Sequence, residues 1–201
     1  MESKYSESKH EIYDGECSVK YSDTPSSPKF NMHVHDAFEI TLILSDDVEL
    51  FINNVSYPVP KGSLLLFNTM DAHWIKYKGN TSYRRFVLWF KQDFLSDLDN
   101  LSYKLLRCFF LRNFEKSNML RLSEEQLNEA VEHYKRFKKL KFSKCFMQNE
   151  RLKLALADFL IFINDLYFTK NRDNIPTHHN DSLYDYENKY ELTHSYNLDI
   201  L

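Results

Sequence analysis

At 201 residues the chain is one domain of ordinary size, or a barrel with an appendage. Its three glycines (Gly15, Gly62, Gly79) are too scattered to write a GxGxxG turn or a P-loop, so a glycine-cradled nucleotide site is excluded. Lysine and arginine number 26 against 29 aspartates and glutamates, a net charge of −3 that leaves no overall electrostatic footprint for nucleic acid.

Hydrophobic residues make up 43 % of the chain and aromatics 15 %, enough apolar material for a core. Cys17, Cys108 and Cys145 are odd in number, far apart and form no CxxC, which predicts reduced thiols and a cytoplasmic setting. Apolar runs such as Leu64–Phe67 and Phe159–Ile163 fall far short of the ~20 residues a membrane span needs. No membrane partner is expected, and the polar, acid-bearing N-terminus does not read as a signal peptide.

Residues 1–17 read as a polar N-terminal arm. A short strand is expected at Ser18–Tyr21, followed by a proline-containing loop at 23–28. Residues 18–92 then read as closely spaced antiparallel strands. The segments are Val34–Leu44, Val48–Ile52, Val55–Val59, Ser63–Phe67, Trp74–Lys78 and Tyr83–Phe90. Turns at Asn53-Asn54, Pro60-Lys-Gly62 and Gly79-Asn80 separate them, a spacing that predicts a small antiparallel barrel or sandwich. Residues 93–170 read as helical. Ser123-Glu-Glu-Gln126 is a capping box, with Leu122 and Leu127 at the staple positions, and its helix should end near residue 142. A second helix is expected from about Asn149 to Tyr167, apolar on nearly every face, so it needs cover on two sides. The second cover is most simply a partner chain. The basic run Lys135–Lys144 reads as a solvated face and C-terminal turn. Residues 171–201 read as a polar tail.

His33-Val-His35-Asp-Ala-Phe-Glu39 places three metal-competent side chains at i, i+2 and i+6, on one face of an extended strand. Along a straight strand, however, Glu39 would lie about 13 Å from His35. The chain must therefore bend at Asp36-Ala37 if both are to serve one site. His73, from a separate strand pair, can face them across a closed barrel. Such a set suits a borderline divalent ion such as Fe, Mn, Ni or Zn, equally a polar ligand pocket without metal, or a structural hydrogen-bond network.

These residues carry a resemblance. HxHxxxE, then Pro60-x-Gly62, Leu64–Phe67 and Asn68-Thr-Met-Asp-Ala-His73 resemble the two signature motifs of the cupin barrel. Asp46 stands where that motif usually has glycine, and Asn68 and Met70 replace its proline and glycine before the last histidine. More narrowly, His33–Ile40, the hairpin, Pro60–Asn68 and Tyr83–Phe90 resemble the N-terminal sensor domain of AraC-type transcription regulators, over about residues 15–170. The resemblance implies a fold that is mainly β with α: a cupin-like antiparallel β-barrel (18–92) followed by a helical hairpin (93–170) that makes a homodimer. It implies a small-molecule effector bound near His33, His35, Glu39 and His73, no obligatory cofactor and no enzymatic activity. DNA would be reached only through a C-terminal helix-turn-helix domain that this polypeptide does not include. Ser195–Ile200 looks like the lead-in to that domain, so residues 171–201 are expected to be a polar tail or truncated linker. The competing expectation is a metal-dependent cupin enzyme of dioxygenase or isomerase type, with an ion held by the same four residues. A third is a dimerising remnant that titrates an intact homologue. About 75 residues of helix with a broad apolar face favour the sensor, since a single-barrel enzyme does not need them.

Overall fold

Ten strands fall into two five-stranded sheets in this computed structural model, which describes residues 9–25, 32–52, 55–98, 100–110 and 118–170. The first sheet contains β1 (Lys9–Glu11), β3 (His33–His35), β5 (Val48–Ile52), β6 (Val55–Val59) and β8 (His73–Tyr77), in the order β1-β3-β8-β5-β6. The second contains β2 (Cys17–Thr24), β4 (Phe38–Ile43), β7 (Ser63–Phe67), β9 (Tyr83–Phe90) and β10 (Met119–Arg121), in the order β10-β7-β4-β9-β2. Among the pairings, β1 with β3 is parallel and the rest are antiparallel. The expected antiparallel cupin-like architecture is thus present. The Asn53-Asn54 turn and the 171–201 tail lie outside the described residues.

Turn chemistry explains the departures noted in the motifs. Between β4 and β5 the left-handed position is taken by Asp47 (φ 60°), beside Asp46, because a short polar side chain tolerates that conformation better than most. Gly62 (φ +81°) turns the chain into β7, donating its N–H to the Ile43 carbonyl at 2.8 Å and accepting from Leu122 N–H at 3.0 Å.

Two strands lie where none was expected. β1 falls in the arm read as polar, and β10 falls in the segment given to helices. Each is three residues long, too short to show a period-two pattern. What holds β10 is pairing with β7, with Leu120 buried opposite Leu64.

The second sheet is covered on both faces, and strict alternation sorts its side chains. Val19, Phe38, Ile40, Leu42, Leu88 and Phe90 join the core shared with the helical layer. Full burial of each such side chain stabilises the fold by roughly 1.5–3 kcal/mol. Ile43, Leu65, Phe67 and Tyr83 point the other way, into a smaller apolar cluster with Val48, Leu50, Ile52 and Tyr77 of the first sheet. Polar residues share this interior face and are described below.

A 3-10 helix (Gln92–Leu98), α1 (Asn100–Leu105) and α2 (Arg107–Phe110) lead from the barrel towards the hairpin. α3 (Glu124–Lys141) starts at the predicted capping box: Gln126 N–H donates to Ser123 Oγ at 3.2 Å and Ser123 N–H to Gln126 Oε1 at 3.0 Å. α3 buries Ala130, Tyr134 and Phe137. Its C-terminus is closed by Gln148 Nε2, which donates to the carbonyls of Leu140 and Lys141, each at 2.9 Å. α4 (Gln148–Lys170) runs back along α3, with His133 stacked on Phe159 and Arg136 paired with Asp158 at 2.9 Å. The chain covers more of α4 than its sequence suggests. Leu152, Leu156, Phe159, Leu160, Ile163 and Tyr167 are all buried, while Leu154 (61 % exposed) and Ile161 (47 %) remain outside. Lys135 and Arg136 of the basic run are exposed and paired with acids, as a solvated face requires. Cys17 and Cys108 are buried and free, and Cys145 is free and half-buried.

Candidate ligand-binding site

The bend required at Asp36-Ala37 is present and separates β3 from β4. Asp36 fixes it from two sides. Its Oδ1 accepts from Tyr13 N–H at 3.0 Å, and its Oδ2 pairs with Lys91 Nζ at 3.0 Å. Partial burial works to raise the Asp36 pKa, but these partners outweigh it and lower the value. Within the bend His35 Nδ1 donates to the Ala37 carbonyl at 2.7 Å. The His35 ring thereby turns Nε2 to within 3.4 Å of Glu39 Oε2.

His73 arrives by a different device. The Asn68–Asp71 turn lacks the usual proline and glycine and is held by side chains instead. Asn68 N–H donates to Asp71 Oδ2 at 2.7 Å, Met70 N–H to Asn68 Oδ1 at 2.9 Å, and Asn68 Nδ2 to the Phe109 carbonyl at 3.3 Å. His73 then donates Nδ1–H to the Asp71 carbonyl at 2.8 Å and lies flat on Phe67, with ring centroids 3.7 Å apart. It pairs across the ladder with His33. His33, His35 and His73 thus converge, one ligand atom from each lying within 4.8 Å of the others.

Glu39 is 6 % exposed and accepts from Thr41 Oγ1 at 2.7 Å and from Tyr13 Oη at 3.3 Å. Burial pushes its pKa up, but the His35 ring beside it, the charge of the imidazoles and the hydrogen bond from Thr41 more than reverse this and hold it at about 2. Burial lowers His73 to about 4 despite the opposing pull of Glu39, so it is neutral at pH 7 with its Nε2 lone pair available. Burial acts in the same sense on His35, but there the Glu39 carboxylate wins and the net shift is upward. The site therefore combines a buried carboxylate–imidazole pair with a neutral imidazole beside it.

A cavity of about 270 Å³ opens inside the barrel against this cluster. Of the four predicted residues, His33, Glu39 and His73 line it, whereas His35 is not part of the wall and meets it through Glu39. Tyr13 also lines it, stacked on Trp89 at 4.5 Å and tilted against His35. Further along, the walls carry Lys20, Ser22, Tyr83 and Arg85. Sequence reasoning missed Tyr13, Lys20, Ser22, Thr41 and Arg85. A signal for Arg85 existed: Tyr83, Arg85, Val87 and Trp89 share one face of β9, and a cation at an inward position of a barrel strand is informative. Trp74 stacks on Phe51 at 4.6 Å and is not part of the cavity wall.

The family described as AraC-like ligand binding domain matches residues 18–146, well over half of the chain. The chain belongs to the AraC-like ligand-binding domain family. Its barrel is accordingly that of a small-molecule-sensing domain. Among curated proteins no sequence relative matches. Among solved structures, apo ToxT K231A from Vibrio cholerae strain SCE256 is similar at 18 % identity with a TM-score of 0.51, over 78 % of this chain and 59 % of that one. ToxT from the same strain with unsaturated fatty acid bound is similar at 16 % identity and TM-score 0.47, over 77 % of this chain and 56 % of that one. A Cupin 2 conserved barrel domain protein from Salinispora arenicola CNS-205 matches over 39 % of this chain and 66 % of its own, at 13 % identity and TM-score 0.34. At 18 % identity the likeness to apo ToxT K231A is one of fold. This AraC-like chain spans about three-fifths of the length of ToxT. No helix among its described residues is long and apolar enough to cross a membrane.

Proposed function

We propose that this chain is the effector-sensing and dimerising part of a cytoplasmic transcription regulator, and that it performs no catalysis itself. The observation that carries this is the position of Tyr13. It belongs to the N-terminal arm yet forms part of the cavity wall, bonded to Glu39 and stacked on Trp89. Just before it, β1 pairs with β3, the strand of His33 and His35. An effector entering the cavity touches both barrel and arm, so it binds two arm arrangements with different affinity, which is the requirement for a switch. α4 supplies the homodimer contact through Leu154 and Ile161, which are exposed seven residues apart. DNA is reached through a further domain of helix-turn-helix type.

A thermal-shift screen of small molecules on the full chain tests this reading. A true effector at 100 times its Kd should stabilise the fold by about 2.7 kcal/mol. Val87→Trp, which fills the cavity, should abolish that shift. A library that gives no cavity-dependent shift sinks the proposal.

One observation favours a metal as a second reading. His35 Nε2 is buried and makes no hydrogen bond, its neighbour Glu39 Oε2 standing 3.4 Å away. Both His35 and His73 give Nδ1–H to backbone carbonyls, the arrangement that orients metal-ligating imidazoles. His33, His35 and His73 would hold a borderline divalent ion, with Glu39 beside them, and the ion would supply Lewis-acid polarisation. Elemental analysis of protein purified without chelator decides. One equivalent of Fe, Mn, Ni or Zn, lost in His33→Ala, establishes the second reading, and a metal-free protein that still binds effector removes it.

A further inference from the structure

The cavity has two ends of opposite character. On the ladder between β4 and β9, Glu39 stands opposite Trp89, while Arg85 stands opposite Ile43. Four positions of β9 separate Trp89 from Arg85, about 13 Å along the strand. The acidic end and the cationic end are therefore anchored too far apart to neutralise each other by direct contact. No ion pair joins Arg85 to an acid among the described residues.

Arg85 is left with Nη1 buried and without a hydrogen-bond partner, and Tyr83, 2 % exposed, has its hydroxyl in the same condition. Buried polar groups are nearly always satisfied, and an unmade charged donor is the most costly exception. Both residues line the cavity. The guanidinium is held by its face, with Cζ 4.3 Å from the Tyr83 ring centroid, which leaves its N–H edge for another partner. Directly across the β2–β9 ladder from Arg85 is Ser22, and diagonally across is Lys20, both on the cavity wall. Burial raises the Tyr83 pKa above that of an ordinary phenol, so its hydroxyl keeps its proton. One end of the cavity thus offers donors and positive charge, and what completes it is an anion.

We infer that the effector bears a single carboxylate, seated on Arg85 and Tyr83. This rests on the sensing role proposed above and names its ligand class. A planar two-oxygen anion matches the fork of a guanidinium better than a point acceptor does. Ile75, Val87 and Trp89 line the path between the two ends and suit an apolar body. A volume of about 270 Å³ lies just under the roughly 300–1,000 Å³ of pockets for drug-sized ligands, so the acid is compact. The far end is already lined by the Glu39 carboxyl group and no Lys or Arg stands beside it on the cavity wall, so it offers no seat for a second carboxylate.

Titration calorimetry on the full chain tests this with benzoate, hexanoate and octanoate, their primary amides, adipate as a diacid and inorganic phosphate. At least one monoacid should bind ten-fold or more tighter than its amide and than adipate. Arg85→Gln should weaken that acid ten-fold or more, Tyr83→Phe should weaken it less, and Arg85→Lys should restore part of the loss. Circular dichroism establishes that each variant is folded. If Arg85→Gln does not fold, the Arg85→Lys and Tyr83→Phe comparison carries the test. Amides binding as tightly as acids, an unchanged affinity in the Arg85 variants, phosphate as the one ligand bound, or no binding by any acid each overturns the inference. Neutral ligands that bind in a cavity-dependent way overturn the carboxylate and leave the sensing role standing.

Discussion

Tyr134 of α3 donates its hydroxyl to the carbonyl of Ile40 at 2.7 Å, one residue beyond Glu39 on β4. The bond joins the helical layer to the strand that carries the site's buried carboxylate, and Tyr134 itself is fully buried and stacked on Phe86. Tyr134→Phe keeps that stacking and removes only the donor. It should cost about 1 kcal/mol, seen in urea titration as a lower midpoint with an unchanged slope.

Acid should destabilise the metal-free chain in a defined window. His73 titrates at about 4 in the fold against roughly 6.5 when unfolded, so the unfolded chain binds more protons between these values. The stability contributed by its buried neutral ring is whole above pH 6.5 and is lost as pH falls towards 4, on the order of 3 kcal/mol. Half-buried His133, also lowered by burial, adds to the same trend. His35, shifted upward, acts oppositely: its contribution is present below pH 6.5 and fades as pH rises through its folded value. Glu39, at about 2, stays ionised throughout this window. Urea unfolding of His73→Gln from pH 7 to pH 4.5 should show a visibly flatter decline than that of the parent chain.

The dimer proposed for α4 makes a separate prediction. Leu154 and Ile161 point away from the chain's own core, so Leu154→Glu together with Ile161→Glu should leave folding intact. Light scattering should find a dimer for the parent chain and a monomer for the double variant at the same concentration. A monomeric parent at high micromolar concentration removes the interface.

Gly79 permits the close packing of Tyr77. A Cβ there would overlap the Tyr77 hydroxyl and sit 2.7 Å from its Cε2. Tyr77 is bonded through Oη to Thr81 Oγ1 at 2.8 Å and stacks on Tyr83 at 5.2 Å, so it has little room to yield. Gly79→Ala should cost about 1–3 kcal/mol in thermal or urea unfolding. Because Tyr83 forms part of the cavity, it should also weaken effector binding in calorimetry.

Much of this was legible in the residues. The impossibility of spanning His35 to Glu39 on a straight strand predicted the Asp36-Ala37 bend, and the capping box placed the start of α3 at its observed position. Seven strands, β2 and β4 to β9, emerged from alternation and turn residues because each runs at least five residues. β1 and β10 did not, since three residues carry no period and their pairing is decided by what lies opposite. Tyr13 and Lys20 were hidden for another reason. Nothing local tells that a tyrosine of a polar arm will stack on Trp89, seventy-six positions away, or that a half-solvated strand turns its lysine towards a cavity. α4 was read as needing cover on two sides; its own domain buries one, while Leu154 and Ile161 stay exposed on the other.

β9 alternates chemistry with every step: Arg85 inward, Phe86 to the helices, Val87 inward, Leu88 to the helices. A slip of one position against its neighbours would exchange the two sets, driving a guanidinium into hydrocarbon and an aromatic ring into the effector's place. Eight paired positions with β2 and six with β4 guard against it. Mutations that loosen either seam will therefore silence the receptor before they unfold it.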